Sequence, residues 1–188
     1  FKNLFYASSS SVYGDTKSFP VRENFKLNPK NLYAKTKIQN EKDAKKFKNS
    51  YKKNIVGLRF FTVYGEWGRP DMFMLKYINS TKNFQLFNKG EHYRDFTYIN
   101  DVNLIIFKLI KKKFKNFNIF NICSNRPIKI TKVIKMINGQ LNKKNLKIIK
   151  LGLQKADVIK THGNNNKIKK ILNYKNFTPI EKGIKNLI

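Results

Sequence analysis

A single cysteine, Cys123, stands among 188 residues. That excludes a disulfide framework and a cysteine metal cluster, and it fits a reducing compartment. The two histidines, His92 and His162, lie in no ligand spacing with each other or with Cys123. No metal site is expected, and both read as structural. No apolar run approaches the roughly 20 residues of a membrane helix, and no signal peptide is visible. A cytoplasmic protein without membrane contact is therefore expected. The chain also opens without a methionine, at Phe1, in a stretch that already reads as a buried strand. We expect that an N-terminal part is missing.

Acidic residues are scarce as well. Eleven Asp and Glu face 40 Lys and Arg, which gives a net charge of +29. Such a balance raises a nucleic-acid or polyanion-binding module as one reading. Arginine, however, supplies only Arg22, Arg59, Arg69, Arg94 and Arg126. Nucleic-acid readers lean on arginine for bidentate and stacked contacts. Here lysine is spread over helix surfaces and asparagine is abundant, the composition of an AT-rich genome. No nucleic acid is expected as partner, although the charge would attract anionic substrates over long range.

What the chain does contain is enough for a core. Hydrophobic residues make up 40% and aromatic residues 14%, so the chain is folded rather than disordered. Apolar runs predict strands at 2–8, 54–60, 84–87, 118–122 and 147–151, with 97–99 extended. Helical periodicity predicts helices at 31–51, 73–81, 101–112, 130–138, 166–172 and 179–187. Residues 8–14 read as a polar turn, 15–29 as a loop bounded by Pro20 and Pro29, and Lys89-Gly90 as a turn. Strand and helix alternate over the first half, which predicts an α/β fold with a parallel sheet and crossover helices. Shorter mixed elements follow, as in a small second domain.

Tyr33 and Lys37 form a YxxxK pair on the first long helix, where positions four apart share a face. An ammonium there lowers the pKa of a phenol and lets it act as a base. The spacing by itself carries little, since nine tyrosines in a lysine-rich chain give about two chance matches. Two occur. The other, Tyr13 to Lys17, contains Gly14 and Asp15 and reads as turn. The Tyr33 pair follows a strand that ends in Ser8-Ser9-Ser10-Ser11-Val12-Tyr13-Gly14. Ligands of open parallel sheets bind outside the carboxyl ends of the strands. A serine hydroxyl and the Tyr/Lys pair can converge there on one substrate hydroxyl; the alternative is a flexible serine loop.

Further along stand Leu58-Arg59-Phe60-Phe61-Thr62-Val63-Tyr64-Gly65, then Gly68-Arg69-Pro70-Asp71-Met72, then Arg94-Asp95-Phe96-Thr97-Tyr98-Ile99 with Asp101-Val102. Together with YASSSSVYG and YAKTK, these resemble the extended short-chain dehydrogenase/reductases in order and spacing. Within them, GRPDM and RDFTYI are similar to the UDP-glucuronate 4-epimerases. The resemblance runs on through Phe120-Asn121-Ile122, 154–158 and 174–184, covering nearly the whole chain.

That resemblance implies the C-terminal part of a Rossmann-type NAD-binding domain, 1–65, and a small α/β substrate-binding domain, mainly 66–188. Segments at about 92–122 would return to the first. It implies NAD as cofactor and a UDP-sugar as substrate, with a homodimer through the 31–51 helix when full length. Tyr33 would be the catalytic base. Lys37 would hold the nicotinamide ribose and lower the Tyr33 pKa, and Ser9 would bond the reacting sugar oxygen. Ser8 would join Tyr33 and Lys37 in cofactor binding. Ser10, Ser11, Thr62 and Arg69 would surround the uronate carboxylate, and Arg94 would contact the UDP phosphates unless it pairs with Asp95. Phe87 would run beside the uracil and ribose, and Asp157 would lie near the nucleotide. Serines at 10 and 11 stand where sister dehydratases carry Asp-Glu, which argues against dehydration. A decarboxylating relative, or one that binds without turnover, stays open. Three departures bear on the sugar: Glu66 for proline, placing a negative charge near Arg69; Asn100 for aspartate; and Gln154 where many relatives have arginine. The family's GxxGxxG loop is absent, so these 188 residues are expected to bind NAD poorly and to be inactive alone.

Overall fold

The computed structural model describes residues 3–141, 146–155 and 157–188. Phe1 and Lys2, where the first strand was expected to begin, lie outside them. Strand β1 (Asn3–Ser9), β2 (Asn54–Phe60) and β6 (Phe117–Ile122) form a parallel sheet in the order β1-β2-β6. Leu4 faces Ile55, and Ile55 faces Phe117. Helix α1 (Leu32–Tyr51) crosses from β1 to β2. Helices α3 (Ile99–Ile110) and α5 (Asn166–Leu172) cover the opposite face, where Val56, Leu58, Val102, Ile105, Leu109, Phe120 and Leu172 pack into one core. Covered on both faces, β2 is buried from Ile55 through Arg59.

A second sheet joins β3 (Thr62–Tyr64) in parallel to β5 (Tyr93–Tyr98), and β5 antiparallel to β7 (Pro127–Lys129). A third pairs β4 (Asn83–Leu86) with β8 (Lys147–Lys150) in parallel. Helices α2 (Phe73–Asn79), α4 (Ile130–Asn138) and α6 (Ile180–Leu187) close over these strands. Their core is aromatic: Tyr64, Tyr77, Phe84, Phe96 and Tyr98 pack with Met74, Val133, Ile137 and Ile184. Tyr77 meets Phe84 edge-on at 4.9 Å. Among the described residues no helix is long and apolar enough to cross a membrane.

The expected elements are present, with three differences. β3 and β7 are three residues long, too short for a period to show. β5 begins at Tyr93 rather than at Thr97, because its first half is polar and is held by pairing rather than by burial. The expected turn at 8–14 is a short 3-10 helix, Ser10–Tyr13, anchored by buried Val12 and Tyr13. The serines are therefore not a flexible loop.

Helix α1 starts at an Asn31 cap whose side chain accepts from the Ala34 N–H at 2.8 Å. It is polar around most of its circumference; only Ala34 and Glu41 are buried. Alternation along β2 turns Val56 and Leu58 to the α3 side and Arg59 to the α1 side. Arg59 grips Glu41 with two bonds, Nε to Oε1 at 2.8 Å and Nη2 to Oε2 at 2.7 Å. Its Nη1 donates to the Tyr13 hydroxyl and to the Glu23 carbonyl, both at 2.9 Å. Ser8 Oγ adds a bond to Glu41 at 2.6 Å. Removing one partner of such a pair strands the other charge in a buried place. We predict that Glu41→Ala lowers stability by about 3–5 kcal/mol in urea denaturation, and that adding Arg59→Met recovers part of it. A loss below about 1 kcal/mol would place the pair with ordinary surface bridges.

Candidate active site

Two groups of side chains were expected to meet, and the structure sets them on two adjoining regions. The first lies at the carboxyl end of β1. Ser9 is extended, and its Oγ accepts from the Ser11 N–H and donates to the Ser11 hydroxyl, each at 3.1 Å. Gly14 ends the turn with φ 58, and a side chain there would run into the Asn28 carbonyl. Ser10 and Ser11 are half-buried. The Ser8 hydroxyl is committed to Glu41, so its side chain points into the interior rather than toward a ligand.

Tyr33 and Lys37 stand on the first turns of α1, which packs against β1 and the serine turn. The phenol is open, at 54% exposure. Lys37 Nζ lies 5.7 Å from the Tyr33 ring centre and donates to the Ala7 carbonyl at 3.0 Å. That bond ties the ammonium to the end of β1, under the phenol. Tyr33 also sits at the N-terminal, positive end of the 20-residue helix. The competing match fails on geometry. Tyr13 is buried, donates to Asn121 at 2.7 Å, and burial pushes its phenol up to about 12.

The second region is a cavity of about 280 Å³ in the aromatic half. Thr62 from β3, Phe73 and Lys76 from α2, Phe84 to Phe87 from β4 and its turn, Arg94 and Phe96 from β5, and Asp157 line it. Four expected residues thus meet here: Thr62, Phe87, Arg94 and Asp157. Arg69 lines a smaller neighbouring cavity that shares Thr62, Met72, Phe73 and Phe96. Its guanidinium is bonded through Nε and Nη2 to Asp71. The Asp71 bond, with a smaller contribution from Tyr33, raises the Arg69 pKa, so the loop reaches toward the first region. Ser9, Ser10, Ser11, Tyr33 and Lys37 line neither cavity.

One alternative falls away and two expectations need correction. Arg94 does not pair with Asp95. It donates to the carbonyls of Tyr93 and Ile159 at 3.0 and 3.2 Å, and burial lowers its pKa while Asp157 opposes the shift. Asp95 points the other way, fully buried, and accepts from Ser124 N and Oγ and from Gly163 N at 2.8 to 3.0 Å. Glu66 does not face Arg69; both its oxygens accept from the Tyr98 hydroxyl, at 2.7 and 2.9 Å. Nor is His92 a plain structural residue, since it lines the cavity. Strand alternation was the signal: the β5 face of Arg94 and Phe96, continued one residue before the strand, brings His92 to the same cavity. His162 is bonded to Asn125 at 2.6 Å. Among the described residues no cluster of His, Cys, Asp and Glu could hold a metal ion.

Residues 1–123 match the family model described as the NAD dependent epimerase/dehydratase family. The chain belongs to that family. An uncharacterised protein of Methanocaldococcus jannaschii is 42% identical over 98% of the chain and 57% of its own length. UDP-glucuronate 4-epimerase 5 of Arabidopsis thaliana is 35% identical over 98% of the chain and 47% of its own length. The crystal structure of UDP-glucuronic acid 4-epimerase from Bacillus cereus, in complex with UDP-glucuronic acid and NAD, superposes with a TM-score of 0.91. It is 28% identical over 98% of this chain and 60% of that one. The chain thus spans about half to three-fifths of the length of these epimerase/dehydratase relatives. Its α/β fold, with the parallel β1-β2-β6 sheet, is the Rossmann-type fold of that family.

Asp95 holds β5, the loop at Ser124 and the loop at Gly163 together, and so fixes the strand that carries Arg94. Burial pushes its carboxyl up to about 6 from 3.8. The folded state then binds the proton more tightly than the unfolded chain does. Stability from this group is therefore gained as pH falls from about 6 toward about 4, and is lost as pH rises through about 6. Asp95→Asn turns an amide toward one of three N–H and O–H donors and should cost about 1–3 kcal/mol at neutral pH. We predict that this deficit grows by up to about 3 kcal/mol on acidification to pH near 4, because the variant lacks the proton-linked gain. Parallel denaturation of the two proteins at both pH values measures it; a constant deficit would rule the raised pKa out.

Proposed function

We propose that the protein acts as an NAD-dependent 4-epimerase of a UDP-sugar, with UDP-glucuronate as the substrate. The observation that carries this reading is the exposed Tyr33 phenol above an anchored Lys37, at the carboxyl end of β1 and beside three serine hydroxyls. Tyr33 would take the proton from the sugar C4 hydroxyl and later return one to the same oxygen. Lys37 would keep its ammonium beneath the phenol, where its bond to the Ala7 carbonyl holds it. Ser9, whose hydroxyl donates only to Ser11 in the free protein, would turn to the sugar oxygen and hold it against Tyr33.

The residues present fit one end of the cofactor. Tyr33 and Lys37 would hold the nicotinamide ribose, where NAD supplies the acceptor and donor of the C4 hydride. For the pyrophosphate the fit ends: of nine glycines only Gly65 and Gly68 stand three apart, and no third follows. Arg94 would meet the UDP diphosphate with charge-assisted bonds, and Phe87 would flank the base and ribose. Ser10, Ser11, Thr62 and Arg69 would hold the uronate carboxylate, which displaces Asp71 from Arg69. Held there, it stays in place while the C4 ketone stands β to it and carbon dioxide is not lost.

Two outcomes test this. In a form of the protein that carries a glycine-rich loop, Tyr33→Phe should remove epimerisation while UDP-glucuronate affinity changes by less than about threefold, since the phenol oxygen acts on the reacting centre. Unchanged turnover would sink the Tyr33 role, and release of carbon dioxide by the unaltered protein would replace epimerase with decarboxylase. The 188-residue chain should by itself bind the UDP-sugar but convert none of it when NAD is added. Turnover by that chain, followed by proton NMR of the sugar, would show that the glycine loop is dispensable.

A further inference from the structure

The proposed function leaves His92 without a task. Its residue is 6% exposed, and its Nε2 is buried with no hydrogen-bond partner. Asp157 Oδ2 lies 3.7 Å away, too far for a hydrogen bond and close enough for a strong charge interaction. The His92 backbone is fixed at this point, because the Ile130 N–H donates to the His92 carbonyl at 2.9 Å. Burial and the Arg94 charge hold the His92 pKa below its ordinary value, while Asp157 pulls it up. The imidazole is therefore neutral in the free protein at neutral pH.

The other charged groups around it nearly cancel. Arg94 from β5 and Lys76 from α2 face Asp71 and Asp157 in the same cavity. Glu91 and Lys129, flanking His92 and the start of α4, are paired with each other. A diphosphate ester arriving at Arg94 adds two negative charges to this balance. Histidine is the side chain that can answer near neutral pH by taking a proton.

We propose that His92 takes up a proton when a nucleoside diphosphate ester binds at Arg94, so that the site holds its ligand more tightly as pH falls. The inference rests on the reading of the cavity as the UDP-sugar site. The imidazolium would have the diphosphate as acceptor for the orphaned Nε2, with the Asp157 carboxylate 3.7 Å away as a countercharge. Between the free and the bound pKa of the ring, affinity then rises by up to about tenfold per pH unit.

Isothermal titration with UDP-glucose tests this directly. Its diphosphate is esterified at both ends and keeps its charge through the range used. Titrations in two buffers of different ionisation enthalpy report the protons taken up. We expect uptake of about half a proton or more, and an affinity at least about threefold higher near pH 6 than near pH 7.5. His92→Gln should abolish the uptake and flatten the profile, and Asp157→Asn should keep the uptake. Binding without pH dependence and without proton uptake would overturn the inference while leaving the cavity as the nucleotide-sugar site. So would uptake that survives His92→Gln and vanishes in Asp157→Asn. No binding at any pH would overturn both readings. Should the His92 variant fail to fold, proton NMR of the two histidines in the unaltered protein decides: the His92 pKa must rise on adding UDP-glucose, and an unmoved pKa refutes the proposal.

Discussion

The site depends on one buried ion pair. Helix α1 has almost no apolar stripe, since most of its residues are lysine, asparagine or other polar types. Packing alone would leave its rotation and its slide along the sheet poorly defined. Glu41 and Arg59 supply what packing does not, through two short bonds between α1 and the middle strand. Tyr33 and Lys37 lie about two turns and one turn N-terminal to Glu41 on the same helix, so their height over the end of β1 is set by that grip. Ser8 and Tyr13 join the same network from either side of the serine turn. Two charges out of water stabilise little in net terms. What they fix is geometry, and the role proposed for the Tyr33 phenol needs geometry more than it needs a stronger fold.

A similar device serves the second region. Asp95 and Arg94 are neighbours in a strand, so they face opposite ways. The carboxylate gathers two loops behind the strand, and the guanidinium is left facing the cavity without a carboxylate in hydrogen-bond contact. An arginine neutralised by its neighbour would offer a phosphate little. One held only by two backbone carbonyls retains its charge, and burial makes that charge costly until an anion arrives.

How far the sequence can be read follows from the same physics. Long apolar or periodic runs marked β2, β6, α3 and α4, because burial on a regular face writes a period into the chain. β3 and β7 left no such mark in three residues each. Thr62, Phe87, Arg94 and Asp157, singled out in the sequence for different parts of the ligand, line one cavity, and the spacing gave Tyr33 and Lys37 their common face. They did not show that Glu41, one polar residue on a polar helix, would be buried, because its partner Arg59 lies 18 positions away. Nor did they show which way Arg94 and Glu66 would turn. A pairing is fixed by the fold around it, and Glu66 found Tyr98 where the linear sequence offered Arg69. His92 was legible in principle, one residue before β5 and two before Arg94, but a lone histidine in a lysine-rich chain is easily taken for scaffold.

The lysine excess sharpens one last point. With 35 of 40 basic positions lysine, a cation of no particular shape is the default of this chain. The arginines at 59, 69 and 94 depart from it: the first two make two-pronged contacts, and Arg94 donates to two carbonyls through Nη1. Arg59 forks onto Glu41, Arg69 onto Asp71, and Arg94 bridges two carbonyls from separate segments. An ammonium is a point charge with three swivelling donors and cannot hold a planar acceptor pair in a fixed plane. Arginine here marks where direction matters as well as sign: once to orient α1, once on the loop beside the smaller cavity, and once in the larger cavity. The lysines around them set a field that attracts anions over long range, and of the three guanidinium groups those of Arg69 and Arg94 line the cavities such an anion would enter.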